Sequence, residues 1–182
     1  MIALVLFLTC VLIALAIGVM AAWSDIKGLT IPNWHSAAIA LSFFVAFILM
    51  HLLGHGEVFK GLYSHMISGG VVFAITATLF AVKAMGAGDS KLATAYAFWV
   101  GISGLPAFLF YMSLAVGVVG ISALVLGKSK PFKSPAPGSW IARVQGGENK
   151  VPYGVAIVCG ALACFVKLGY VGSVVLTFLT PA

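Results

Sequence analysis

"KAMGAGDSKLATA", residues 83–95, is the stretch on which the reading of this chain turns. It follows some twenty apolar residues, opens a further apolar run, and sets an aspartate between two glycines and that run. A carboxylate is costly inside a bilayer, and the whole chain holds four acids: Asp25, Glu57, Asp89 and Glu148. The segment therefore reads as the edge of a membrane span. The other aspartate has a similar setting in "WSDIKGLTIPNWH", residues 23–35.

Composition supports the membrane. The 182 residues are 62% hydrophobic and 8% charged, with a mean hydropathy of +1.16, where a soluble domain carries about 25% charged residues. The formal net charge of +6 comes without a basic helix or an aromatic-basic cluster, so no nucleic-acid partner is indicated. Cys10, Cys159 and Cys164 lie in apolar runs without a C-x-x-C pair, which suggests packed hydrophobes instead of a zinc site or disulfide. The N-terminal run has no basic residue before it and is too long for a secretory h-region. It reads as a retained first helix.

A hydrocarbon core about 30 Å thick needs roughly 20 apolar residues in helical form. That ruler places spans at about 2–23, 36–53, 62–82, 90–105, 107–127 and 152–168. The fold class expected is all-α, a polytopic membrane protein with about six transmembrane helices forming one domain over 1–182. Its cytoplasmic loops would be about 24–35, 83–89 and 127–151. Gly101, Gly104 and Pro106 blur the boundary between the fourth and fifth spans. Residues 168–182 are too short for another crossing, and either extend helix six with tilt or lie along the interface. Lys27, Lys83, Lys91, Lys128, Lys130, Lys133, Arg143 and Lys150 fall on one side, and Lys60 and Lys167 on the other. The positive-inside rule then puts both termini outside and both aspartates at the cytoplasmic face. Residues 127–150, rich in Pro, Gly, Ser and Lys, read as a solvated connector.

Two carboxylates brought together at one face cannot both ionise cheaply, so one keeps a proton while the other stays charged. The charged one can take a proton from water and the protonated one can hydrogen-bond a peptide carbonyl. That chemistry needs neither metal nor cofactor. Gly86 and Gly88 are expected to permit a tight turn and close approach of a substrate strand, with Asp89 opening the fourth helix, where the dipole favours an anion. Lys27 and Lys91, two positions past each aspartate, are expected to reach toward lipid headgroups. Pro32 suits the first turn of helix two, and Asn33 is placed to satisfy backbone groups near the site. His51, His55 and His65 fall on the outer side, and with His35 are expected at headgroups or water instead of a metal. Glu57 and Glu148 are assigned no chemistry.

"GAGDSKL" resembles the GxGD signature of membrane aspartyl proteases, in a context similar to the prepilin peptidases. "SDIKGLTIPN" resembles that family's companion block, and "VPYGVAI", 151–157, its stretch opening the last helix. Within that family the chain resembles the short TadV/CpaA type that processes Flp pilins, and the archaeal preflagellin peptidases are similar. The resemblance implies Asp25 and Asp89 as the catalytic pair. It also implies, as substrate, a prepilin or pseudopilin with a basic leader and an apolar helix, cut at the cytoplasmic face of the inner membrane. Longer members also carry a cytoplasmic domain with paired CxxC motifs and N-methylate the product. Residues 24–35 are too short for that domain and contain no Cys, so no methyltransferase activity is expected. Membrane lipid is an implied partner and a homo-oligomer is compatible. Read without the family, the residues leave open a small proton-coupled transporter with an aspartate relay, or a noncatalytic subunit of a pilus assembly.

Overall fold

In the computed structural model, which describes residues 1–148 and 150–172, every regular element is a helix. They are α1 (Ile2–Gly28), α2 (Asn33–Leu52), a 3₁₀ turn (Gly56–Val58), α3 (Leu62–Ala81), α4 (Ala87–Ser129), α5 (Trp140–Gln145) and α6 (Tyr153–Lys167). Four of them, α1 to α4, are long and apolar enough to cross a membrane, and α6 is a shorter apolar helix. This is the all-helical membrane architecture expected from the sequence.

In helices apolar all round, polarity does not mark the inward face, and small residues help where they let backbones approach. α1 buries Leu4, Phe7, Val11, Ala14, Gly18, Ala21 and Asp25, a stripe at alternating spacings of three and four. Tyr96 of α4 crosses this stripe and donates its hydroxyl to the Ala14 carbonyl at 2.9 Å. A Cβ on Gly18 would overlap that hydroxyl. α1 continues beyond the expected end at residue 23, so Asp25 lies in its last helical turn and not in a loop. Leu29 caps the helix in the left-handed conformation at φ 52 and returns its N–H to the Asp25 carbonyl at 2.7 Å.

α4 is one run of 43 residues with a break at Gly101, φ 61 and ψ 178. That region is essentially open to glycine alone. The break costs two backbone partners, and neighbouring residues of α3 replace them. Ser64 Oγ accepts the Ile102 N–H at 3.1 Å, and His65 Nδ1 donates to the Phe98 carbonyl at 2.6 Å. The two arms then run in opposite directions along α6. Gly104 lies against Cys164 and Leu168 at the end of α6, Gly160 against Met112, and Gly127 against Val144. α1, α2, α3, the two arms of α4 and α6 thus traverse the bundle.

Several expectations change. The boundary between spans four and five is Gly101, with Pro106 inside the second arm, because a glycine-only conformation breaks the helix more sharply than one missing N–H. His65 is buried and serves the break, away from water, and His35 is also buried, beside Trp34. α6 stops at Lys167. Gly169, at φ 77, turns the chain so that Tyr170 enters the core and donates its hydroxyl to the Trp99 carbonyl at 3.2 Å. The proposed interfacial placement of the remaining tail falls on residues 173–182, outside the described residues. The connector 127–150 contains α5, capped by Ser139, which accepts the Ala142 N–H at 3.2 Å. Trp140 is buried and donates its indole N–H to the Lys150 carbonyl at 2.8 Å.

The end of the bundle away from Asp25 is filled by aromatic rings. Phe7, Phe43, Phe59, Trp99, Phe165 and Tyr170 meet mostly edge to face, and the Trp99 indole donates to the Ile39 carbonyl at 3.0 Å. That plug fixes α1, α2, α4 and α6 relative to one another. The opposite end is where the acids converge.

Candidate active site

Asp25 reaches the site because it ends the buried stripe of α1, and it is 4% exposed. Asp89 reaches it from the first turn of α4, on the face that also carries the buried Leu92, Ala93 and Tyr96. Both carboxylates line one cleft of about 550 Å³. They also line a smaller pocket of about 240 Å³ walled by Thr30, Ile31 and Gly88.

Each carboxylate sits at a helix N-terminus, where unpaired N–H groups and the dipole favour an anion. Asp25 Oδ2 accepts the Gly154 N–H at 2.7 Å, across from α1 to the start of α6. Asp89 Oδ2 accepts the Gly86 N–H of its own capping turn at 3.2 Å. Asp89 Oδ1 is buried and has no hydrogen-bond partner among the described residues.

The glycines of the GAG segment matter for their missing side chains and not for unusual backbone angles. Gly86 is an N-cap with extended backbone at φ −76 and ψ 151, and Gly88 lies within α4, so neither adopts a positive φ. What they supply is space. A Cβ on Gly86 would stand 2.7 Å from Asp89 Oδ2, and one on Gly88 would stand 3.0 Å from Ile31 Cβ and 3.2 Å from the Ile31 carbonyl oxygen. Pro32 is the N-cap of α2 at φ −56. Asn33 and Lys91 are brought together on the far side of α4 from the cleft, the Lys91 Nζ donating to Asn33 Oδ1 at 2.8 Å. Lys91 is thereby tied to α2, and the Asn33 amide oxygen serves a side chain and not the backbone. Lys27 lies over the Trp23 ring, 5.0 Å from its centroid.

Other residues join the cleft without having been marked in the sequence. Lys83, in the left-handed conformation at φ 62, closes the end of α3 and lines the cavity with Arg143, Lys150, Val151 and Tyr153. Glu148 pairs with Lys150 at 3.0 Å and with Arg143 at 3.8 Å. The signal for α5 was legible as a Ser cap followed by Trp-Ile-Ala-Arg-Val. No local signal marks the Gly154 N–H, because its role depends on a partner more than a hundred positions away.

Chemically, the cleft presents two carboxylates to one open space with glycine-lined approaches and a cationic rim. A water held between such groups can lose a proton to one while the other hydrogen-bonds a carbonyl.

The model of the type IV leader peptidase family matches residues 6–121, a stretch that holds both aspartates and ends within α4. No curated protein and no solved structure matches the chain.

Proposed function

The chain belongs to the type IV leader peptidase family, and on that premise we propose that it is an aspartic endopeptidase whose catalytic pair is Asp25 and Asp89. Its substrate is a type IV or Flp prepilin, or a pseudopilin, with a short basic leader before an apolar helix. Cleavage at the cytoplasmic face of the inner membrane would release the leader for pilus biogenesis or secretion. The observation that carries this reading is that the chain's two aspartates, from helices far apart in sequence, line the same cleft.

In the mechanism, the charged carboxylate removes a proton from water as its oxygen attacks the scissile carbonyl carbon. The protonated carboxyl donates to the carbonyl oxygen, giving a neutral tetrahedral diol. Collapse breaks the C–N bond as the first carboxyl returns its proton to the leaving amine and the second recovers its own. The cytoplasmic orientation is supported by eight of the ten Lys and Arg residues, which lie at the aspartate end of the bundle. A proton-coupled transporter needs a polar path across the membrane. Here both acids lie at one end, and the other end is the aromatic plug. An archaellin-type leader peptidase would use the same site on a different substrate.

The test is cleavage, by purified protein in detergent, of a peptide with a basic leader, a Gly and an apolar helix. A single cut after the Gly is expected. Asp25→Asn and Asp89→Asn, both nearly isosteric, should each slow it by about 10²- to 10⁴-fold. The double variant should be little worse than either, because the pair acts as a unit. If Asp25→Asn keeps most of its activity while Asp89→Asn is dead, the two-carboxylate mechanism fails.

A further inference from the structure

Gly154 stands outside the stretch matched to the family, yet it makes the shorter of the hydrogen bonds to the two aspartate carboxylates. We propose that Gly154 is a positioning residue for the catalytic pair: its N–H holds Asp25 as the charged member, which leaves the shared proton on Asp89. This inference rests on the reading of Asp25 and Asp89 as the reacting pair.

Three observations carry it. First, Gly154 is the second residue of α6 after the Pro152 cap, so its N–H has no partner within the helix and is free to point at Asp25 Oδ2, 2.7 Å away. A carboxylate that accepts a short N–H bond at a helix start is favoured in its ionised form. Second, the site has no room for a side chain there. A Cβ on residue 154 would stand 2.9 Å from Asp25 Oδ2, 2.9 Å from Ile31 Cδ1 and 3.2 Å from Asp25 Cβ. Third, Asp89 is held less well, with one bond at 3.2 Å and a buried oxygen that has no partner among the described residues. Leaving such an oxygen charged is more costly than leaving it on a protonated carboxyl.

The geometry therefore gives the two acids different roles. Asp25 is the base that takes the proton from water. Asp89 is the acid that donates to the scissile carbonyl. The other charged or titratable groups facing this space are Lys83 at the end of α3, Arg143 of α5, Lys150, and Tyr153 of α6. On α1 itself, Lys27 lies over Trp23.

The experiment measures kcat and KM across pH for wild type, Gly154→Ala, Ile31→Val and the double variant. In Gly154→Ala the methyl displaces the carboxylate, and kcat should fall about 100-fold with KM changed by no more than roughly twofold. The acid limb of the profile should move up by about one pH unit, because the displaced carboxylate loses its donor. Ile31→Val removes the Ile31 contact with the added methyl and leaves the Asp25 contact, so the double variant should stay impaired. A wild-type kcat and acid limb in Gly154→Ala, or full recovery in the double variant, overturns the proposal.

A second measurement needs no change at Gly154. Asp25 and Asp89 are the only aspartates, so infrared spectra of protein labelled with ¹³C-aspartate read this pair alone. Asp25 in the Asp89→Asn variant should ionise at lower pH than Asp89 in the Asp25→Asn variant, and the reverse order overturns the assignment. A wild-type protein that cleaves no prepilin peptide would instead strike at the peptidase reading itself.

Discussion

A Cβ on Gly88 would press on Ile31 at its Cβ and carbonyl oxygen, while the other end of Ile31 already reaches the space beside Gly154. Ile31 thus spans the two aspartates, touching the residue before Asp89 and the residue that bonds Asp25. Gly88→Val should insert normally and lose about 100-fold in cleavage, the scale of a displacement of roughly 1 Å at a reacting group. Wild-type turnover in a correctly folded Gly88→Val protein would show that the GAG segment only connects α3 to α4. Asp→Glu at either aspartate should be similarly impaired, since one methylene moves the carboxylate off its N–H donor; turnover within tenfold of wild type would argue against such tight placement.

Among the elements, α4 has the most demanding geometry. Its first arm, residues 87–100, is about 21 Å long at 1.5 Å per residue, shorter than the roughly 30 Å hydrocarbon core. An arm that short, if it crosses a membrane, would set Asp89 beneath the surface or thin the bilayer around it. The arm ends at Gly101, in a conformation other residues scarcely enter, with His65 and Ser64 close to the site of any added Cβ at 3.1 and 3.2 Å. Gly101→Ala should therefore destabilise the fold by about 1–3 kcal/mol. The aromatic plug separates the break from the aspartates, so kcat per folded molecule should stay near wild type. Thermal unfolding in detergent, read beside cleavage, separates the two effects; an unchanged midpoint would show that the break tolerates a side chain.

At the scale of the whole molecule, the gathering of Lys and Arg at the aspartate end makes orientation a testable expectation. Reporter fusions after residue 30 and within 128–150 should be cytoplasmic, and fusions near 56 should be external. A fusion at 56 found in the cytoplasm would reverse the orientation and move the aspartates to the outer face. The cationic rim of Lys83, Arg143 and Lys150 belongs to this scale too, because it is assembled from the turn after α3, from α5 and from the connector leading to α6.

The membrane class, the helical architecture and the two candidate acids were legible in the linear chain, because hydropathy over some twenty residues and the rarity of carboxylates are local or compositional properties. The break at Gly101 was not legible there, since its missing hydrogen bonds are supplied by Ser64 and His65 on another helix. Nor was the role of the glycines at 86 and 88, whose need for space arises from Asp89 and Ile31 and leaves no trace in their own backbone angles. The bond from Gly154 to Asp25 is the extreme case. A free N–H at a helix start is a local property, but the acid that accepts it is chosen only when α1 and α6 pack side by side.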